Sequence, residues 1–225
     1  NVLNDYFDFK DGTDEENNDY FQQVSGGSRA IELGLITLAG TKKLGIILTI
    51  VALLIGGVIL FSTNPANVDA VLMITLIGLF LGYFYTAPPL RLVARRGLGE
   101  LTIFLTFGPL ITLGTAFAIF NGDLSMAQEH LMNCLYIGIP MGLLTTNILL
   151  INEFPDMKSD TKTNKNHLVV TFGKKASRWI YLLILGLTAY TTLMLADSVG
   201  SEKLLIPLAI LVLYGGYVFS ILFKK

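Results

Sequence analysis

Residues 152–160 read Asn-Glu-Phe-Pro-Asp-Met-Lys-Ser-Asp and follow directly on the uncharged apolar run 131–151. Residues 1–8 read Asn-Val-Leu-Asn-Asp-Tyr-Phe-Asp, in which an Asn is again followed by an Asp four positions later. In a helix, positions i, i+4 and i+7 or i+8 lie on one face. Each stretch therefore predicts a stripe of amide and carboxylate oxygens, the ligands that Mg²⁺ prefers. The stripes consist of Asn1, Asp5 and Asp8 in the first motif and of Asn152, Asp156 and Asp160 in the second motif.

The rest of the chain is unusually apolar. Of its 225 residues, 52% are hydrophobic and 15% are charged, whereas a soluble domain carries roughly 25% charged residues. Stretches of 18 to 21 residues without Asp, Glu, Lys, Arg or His occur at 44–62, 70–87, 101–120, 131–151, 179–196 and 204–223. A helix needs about 20 apolar residues to cross a bilayer, and a spanning segment must satisfy its own backbone hydrogen bonds. The sequence predicts an all-α, polytopic transmembrane helical bundle in a lipid bilayer.

The distribution of basic residues predicts its orientation. If the six spans alternate in direction, fifteen of the sixteen Lys and Arg residues fall on one side, and only Lys203 falls on the other. An excess of Lys and Arg marks cytoplasmic loops. Both motifs lie on that side, which we therefore expect to be cytoplasmic in a bacterial or archaeal cell membrane.

Several features near the motifs have two interpretations. The first motif continues into an acidic segment, and a solvated acidic loop is the simpler explanation for it. Pro155 would clash with the carbonyl of Ile151 in a helix, so the second motif is expected to kink or to end its helix. We expect 152–178 to form the longest loop. His167 is interpreted as a solvated residue within it, with contact to a bound ligand as the alternative. Tyr85 lies near the end of the apolar run 70–87 and Arg91 lies just beyond it, and both could be interfacial anchors or site residues.

Two facing stripes of oxygen ligands with basic residues nearby favour a diphosphate ligand. Carboxylates hold Mg²⁺ best when phosphate oxygens complete its shell. Metal and cations would neutralise a diphosphate as it leaves, which stabilises the charge that develops on it. If the departing organic group is allylic, a carbocation remains, and a nearby electron-rich acceptor would capture it. Apolar helices suit an isoprenoid tail. Phe7, Tyr83 and Tyr85 could stabilise the cation through their rings, and simple packing is the alternative role for each of them.

The ordered motifs resemble the UbiA superfamily of intramembrane prenyltransferases. Both metal motifs match the pattern of that family. The resemblance as a whole covers nearly the whole chain. The segments most similar to the branch that prenylates 1,4-dihydroxy-2-naphthoate in menaquinone biosynthesis are 26–29, 85–91 and 96–100. The resemblance implies one integral-membrane prenyltransferase domain over residues 1–225 and Mg²⁺-dependent transfer of a polyprenyl group from polyprenyl diphosphate to an aromatic acceptor.

The resemblance also implies roles for individual residues. Asn1, Asp5, Asp8, Asn152, Asp156 and Asp160 would hold Mg²⁺, directly or through water. Arg29, Arg91 and Lys165 would contact the diphosphate, and Tyr85 would line the reaction site. Asp5, Asp8, Asp156, Asp160 and Tyr85 are therefore the predicted catalytic residues.

The sequence leaves three points open, namely the completeness of the chain, the identity of the acceptor and the class of protein. The family has nine spans, so this chain is expected to lack the first span, most of the second and the last, and to be incomplete at both ends. The acceptor could instead be 4-hydroxybenzoate, homogentisate or a glycerol-phosphate ether lipid.

A divalent-cation transporter is the alternative of a different class, although the six uncharged spans argue against ion coordination at mid-membrane. A noncatalytic lipid- or quinone-binding scaffold would not need two metal motifs, and no nucleic-acid partner is expected.

Overall fold

A computed structural model describes residues 2–12 and 28–223 of the chain. This described part is helical and contains no β-strand. Asn1 and the segment 13–27, which hold one predicted metal ligand and most of the acidic loop, lie outside the described residues. The helices are α1 (Val2–Lys10), α2 (Leu38–Ser62), α3 (Val68–Phe84), α4 (Leu98–Leu105), α5 (Ile111–Ile119), α6 (Gln128–Lys162), α7 (Leu168–Ser198) and α8 (Leu205–Leu222).

Six helical segments are long and apolar enough to cross a membrane, which confirms the predicted helical bundle. They are Leu38–Ser62, Pro65–Phe84, Leu98–Ile119, Gln128–Lys162, Leu168–Ser198 and Glu202–Leu222. A third of the most apolar part of Gln128–Lys162 is buried, compared with 6% of that of Leu38–Ser62. Helix α6 is thus the centre of the described bundle, whereas α2 presents nearly all of its apolar surface outward.

The segment between α4 and α5 is a π-helical turn, Thr106–Leu110, which joins the two helices into one span. Pro109 lies inside this turn and cannot donate a backbone hydrogen bond. Gly108 permits a close approach to α6, because a Cβ there would lie 2.7 Å from the Gly138 carbonyl oxygen and 2.8 Å from the Gly142 Cα. Small residues at helix crossings allow this kind of backbone contact in membranes.

Helices α6 and α7 form the main packing pair. Their buried cluster comprises Leu150, Phe154, Val169, Tyr181 and Leu185. The Asn147 amide donates to the Tyr181 carbonyl oxygen at 3.2 Å, and the Tyr181 hydroxyl donates to the Gly215 carbonyl oxygen of α8 at 3.2 Å. These contacts fix the end of α6 that carries the second motif.

The helix of the second motif does not end at Pro155, and the expectation of a long loop at 152–178 is wrong. Helix α6 continues through Pro155 to Lys162 without a non-helical residue. The predicted loop 152–178 is reduced to residues 163–167, because α7 already begins at Leu168. A proline removes only one helical hydrogen bond, and neighbouring helices can satisfy the freed carbonyl. Because each residue adds about 1.5 Å, the eleven residues after position 151 carry the second motif about 16 Å beyond the uncharged span.

Candidate active site

One end of the bundle collects the segments that carry the predicted site residues. The end of α1, the loop 85–97, the end of α6 and the loop 163–167 meet there. We call this region the cap. The contacts below show which of the predicted residues come together in it.

The first motif lies on α1, which packs against α2. Leu3 lies so close to Gly45 that a Cβ at position 45 would be 2.6 Å from its side chain. Asp5 accepts a hydrogen bond of 2.6 Å from the Ser28 hydroxyl, so the motif contacts the segment that carries Arg29. Asp8 is 7% exposed and is the only buried residue of α1.

An ion pair joins the two motif regions. The Lys165 ammonium lies 3.6 Å from Asp8 Oδ2, across 157 positions of sequence. Burial alone would lower the pKa of Lys165, but the charges of Asp8 and Asp160, followed by Tyr85 and Asp156, raise it above its ordinary value. Lys165 is therefore a fixed cation between the acidic residues of both motifs.

A second ion pair joins the loop 85–97 to the same region. The Arg91 Nε lies 3.1 Å from Asp11 Oδ2, and Arg91 Nη1 donates to the Thr163 carbonyl oxygen at 3.4 Å. Arg91 has a φ of 46°, in the left-handed region that non-glycine residues rarely adopt. Asp11 was missed as a partner, because its place in an acidic segment favoured a solvated residue.

Backbone contacts pin the two cap loops to each other. The Arg96 N–H donates to the Asn166 carbonyl oxygen at 2.7 Å, next to a parallel bridge between Arg95 and Asn166. The Arg95 guanidinium donates to the carbonyl oxygens of Pro89 and Leu90, which closes its own loop. The loop 85–97 is consequently held against the turn that carries Lys165.

Tyr85 ends α3 within the electrostatic reach of this cluster. Burial raises the pKa of its hydroxyl, opposed by Lys165 and supported by Glu153, Glu100 and Asp8. The hydroxyl therefore stays protonated and can donate a hydrogen bond. Phe7 and Tyr83 pack edge to face with ring centroids 6.3 Å apart, so aromatic rings from α1 and α3 meet next to the cap.

The interpretation of His167 as a solvated residue is wrong. Its side chain is 1% exposed, with Nδ1 3.1 Å from Glu153 Oε2 and Nε2 3.1 Å from Asp160 Oδ2. Burial alone would lower the pKa of His167, but hydrogen bonds and charges from Asp160 and Glu153 raise it to about 9. A sequence signal did exist, because Glu153 and Asp160 are seven positions apart and share a helix face.

Glu100 is a further buried acid. The sequence included it in the segment 96–100 but did not predict a role for it. Its Oε1 accepts a hydrogen bond of 2.7 Å from the Leu168 N–H, which caps the first turn of α7. Its Oε2 is buried without a hydrogen-bond partner. Glu100 thus connects α4 to the start of α7, directly after His167.

The cap offers oxygen ligands that suit a hard cation. Asp8 Oδ1 and Asn4 Oδ1 are both buried without a hydrogen-bond partner, and the two residues are one helical turn apart on α1. Burial raises the pKa of Asp8, Asp160 adds to the rise, and Lys165 opposes it, so a further cation would stabilise the ionised carboxylate. These donors fit Mg²⁺. Among residues 2–12 and 28–223, no three His, Cys, Asp or Glu side chains are grouped closely enough to hold a metal alone.

The remaining predicted residues lie on the segments that form the cap. Asn152 and Asp156 are half-buried on α6, two turns and one turn before Asp160, respectively. Asp156 contributes to the field at Lys165. Arg29 is half-buried beside Ser28, with a φ of 52°. Asp8, Asp160, Lys165 and Tyr85 are therefore brought together in the cap, and Arg91 joins them through Asp11.

Comparison with known proteins identifies the family of the chain. A model of the UbiA prenyltransferase family matches residues 1–225. The chain belongs to this family.

Relatives in the family carry names from naphthoquinone chemistry. A chloroplastic 2-carboxy-1,4-naphthoquinone phytyltransferase of Arabidopsis thaliana is 30% identical over 84% of this chain and 48% of its own length. A 2-carboxy-1,4-naphthoquinone phytyltransferase of Synechocystis sp. is 30% identical over 74% of this chain and 52% of its own length. A 1,4-dihydroxy-2-naphthoate octaprenyltransferase of Haemophilus influenzae is 27% identical over 93% of this chain and 65% of its own length.

The chain spans about half the length of the first two of these relatives. No solved structure gives a significant match.

Proposed function

We propose that this UbiA-family chain belongs to an enzyme that transfers a polyprenyl group from polyprenyl diphosphate to an aromatic acceptor, with 1,4-dihydroxy-2-naphthoate as the acceptor. One observation carries the proposal. The contact between Lys165 and Asp8 brings a cation and an acid from the two motif regions together, at one end of an apolar helical bundle. A charged diphosphate would bind at that end while its apolar tail lies along the helices.

The acidic residues would bind the metal. Asp8 and Asn4 each have a buried oxygen without a partner, and Asp160 lies near Asp8. Mg²⁺, when bound, would neutralise the diphosphate and stabilise it as a leaving group. The proposed ligand set remains Asn1, Asp5, Asp8, Asn152, Asp156 and Asp160, to which Asn4 is added here.

The basic residues would bind the diphosphate. Lys165 pairs with Asp8 and Arg91 pairs with Asp11. Each cation could exchange its carboxylate partner for a phosphate oxygen, which is also negatively charged. Arginine binds phosphate oxygens in a bidentate manner. Arg29 would contribute from the segment next to Asp5. The cations are thereby held in place before the substrate arrives, which reduces the reorganisation that binding requires.

Tyr85 would stabilise the reacting carbon and the acceptor. Its protonated hydroxyl can donate a hydrogen bond, and its ring can face a carbocation. Phe7 and Tyr83 add apolar surface beside it and would help to exclude water, which would otherwise capture the cation.

The acceptor and the orientation in the membrane belong to the same proposal. The relatives named above act, by name, on naphthoate or naphthoquinone compounds, which favours 1,4-dihydroxy-2-naphthoate over 4-hydroxybenzoate, homogentisate or a glycerol-phosphate ether lipid. The excess of Lys and Arg on the motif side favours a cap on the cytoplasmic side of the membrane. We propose a bacterial or archaeal cell membrane as its location.

Membranes that contain the full-length protein, incubated with labelled polyprenyl diphosphate and the four acceptors, test the proposal directly. The expected product has the mass of the prenylated 1,4-naphthalenediol that remains when the acceptor carboxylate leaves as CO2 and the diphosphate is released. EDTA should stop its formation, and added Mg²⁺ should restore it. A protein that retains divalent metal without a prenyl diphosphate and forms no product would instead support the transporter.

Substitutions test the site. Asp5→Asn and Asp156→Asn should each abolish turnover while the protein still inserts and folds, because each removes a negative charge proposed to bind metal. Asp69→Asn is the matched control, because Asp69 is exposed in the first turn of α3, at the other end of that helix from Tyr85. Normal turnover in Asp5→Asn or Asp156→Asn would contradict the assignment.

A further inference from the structure

Four buried polar side chains form a chain of contacts behind the cap. His167 contacts Glu153 and Asp160 through its two ring nitrogens. Glu100 holds the N–H of Leu168, the residue that follows His167. All four side chains are buried, with exposures of 5% or less. These contacts link α4, α6 and the start of α7.

The backbone on both sides of His167 is fixed. The Lys165 N–H donates to the Asp160 carbonyl oxygen at 2.9 Å, and the His167 N–H donates to the Lys165 carbonyl oxygen at 3.1 Å. The Arg96 N–H holds the Asn166 carbonyl oxygen at 2.7 Å. The backbone of the turn is therefore held in place, and the imidazole, which is 1% exposed, is enclosed by its neighbours beside the carboxylates of α6.

Asp160 has two nearby basic partners. Lys165 lies within its electrostatic reach and is also the partner of Asp8. The contact of 3.1 Å to His167 occupies Asp160 Oδ2 and leaves the Lys165 ammonium directed at Asp8. Without His167, the free Asp160 carboxylate could turn to Lys165 and neutralise the cation proposed to receive the diphosphate.

We propose that His167 is a positioning residue, which holds the last acid of the second motif in place and keeps Lys165 available to the diphosphate. Both ring nitrogens lie 3.1 Å from carboxylate oxygens, and Nδ1 also accepts a hydrogen bond from the Val170 N–H, so His167 acts through Asp160 and not as a ligand itself. Groups that orient metal ligands commonly change metal affinity by 10- to 100-fold when they are removed. The inference rests on the proposed function, because it assumes that Asp160 serves a metal-bound diphosphate.

The test measures binding as well as turnover. Full-length protein in detergent is titrated with Mg²⁺ in the presence of geranylgeranyl thiodiphosphate, an unreactive analogue, and the rise in melting temperature is followed. His167→Ala should raise the Mg²⁺ concentration for half-maximal stabilisation by at least about tenfold. His167→Gln, which keeps one donor in a similar volume, should fold well and give an intermediate shift. Both variants should also raise the KM for the prenyl diphosphate.

The chain offers a matched control. His130 is its other histidine, exposed on the first turn of α6, with its ring 5.5 Å from that of Phe120. His130→Ala should leave the Mg²⁺ titration unchanged. If the His167 variants melt at a lower temperature but keep the wild-type Mg²⁺ dependence, His167 is only structural and the inference is overturned. If the folded wild-type protein shows no Mg²⁺-dependent stabilisation with the analogue, the proposed function fails and the inference falls with it.

Discussion

The crossing of the α4–α5 span with α6 leaves no room for a side chain at Gly108. A methyl group there would lie 2.7 Å from the Gly138 carbonyl oxygen and 2.8 Å from the Gly142 Cα. Both neighbours are backbone atoms and cannot rotate aside. The overlap is about 0.7 Å relative to ordinary contact, and a close-packed interior does not absorb it locally. Gly108→Ala should therefore force the helices apart and cost about 1–3 kcal/mol of stability.

Thermal unfolding of the detergent-solubilised protein measures this cost. A loss of 1–3 kcal/mol corresponds to a fall in melting temperature of about 2–12 °C for a chain of this size. Gly186→Ala in α7 is the matched control, because a Cβ there has no neighbour within 4 Å. It should leave the melting temperature unchanged or raise it, since Ala is the better helix former by about 1 kcal/mol.

Equal melting temperatures for the two variants would refute the close crossing. A fall for Gly186→Ala with none for Gly108→Ala would refute it more strongly, because it would place the tight contact on α7. Turnover of Gly108→Ala measured at low temperature is a second test of the crossing. The α4 helix carries Glu100, so helices forced apart at Gly108 should also disturb the start of α7.

Two further substitutions test opposite ends of the bundle. Lys165→Met should leave Asp8 buried without its cation, destabilise the protein by about 3 kcal/mol and lower turnover at least about a hundredfold, as the loss of a charge-assisted contact would. Membrane assays and melting curves check this against Lys43→Met on the exposed side of α2, and an active Lys165→Met would contradict it. Asn67→Ala should lower stability by about 3 kcal/mol, because this fully buried side chain bonds the Phe120 and Gly122 carbonyl oxygens and the Leu124 N–H. Turnover in freshly prepared membranes should survive, and its loss at an unchanged melting temperature would count against this structural role.

The spans could be predicted because the membrane imposes a simple rule. Each uncharged run of 18 to 21 residues coincides with one of the spanning helical segments. The ends of the long helices could not be predicted in the same way. A run of apolar residues ends where the lipid ends, but α6 and α7 continue into the cap, where charged residues are compatible with a helix.

The cap could be predicted in its composition but not in its pairing. The motif spacing identified Asp8 and Asp160 as candidates, the family resemblance added Lys165, and these three lie together. The burial of His167 and the partner of Arg91 depend on how the loops 85–97 and 163–167 fold onto each other. Such contacts join residues far apart in sequence, and local periodicity carries no information about them.

The pairing of Asp8 with Lys165 has a consequence for biosynthesis. Ribosomes release the amino-terminal acid long before the lysine, because about 157 peptide bonds separate them. A nascent chain that stopped short of residue 165 would hold the complete helix α1 and four of the six apolar spans. It would lack the ammonium group that completes the ion pair. Prematurely terminated products should therefore insert but be recognisable by quality control through an uncompensated acid at the membrane surface.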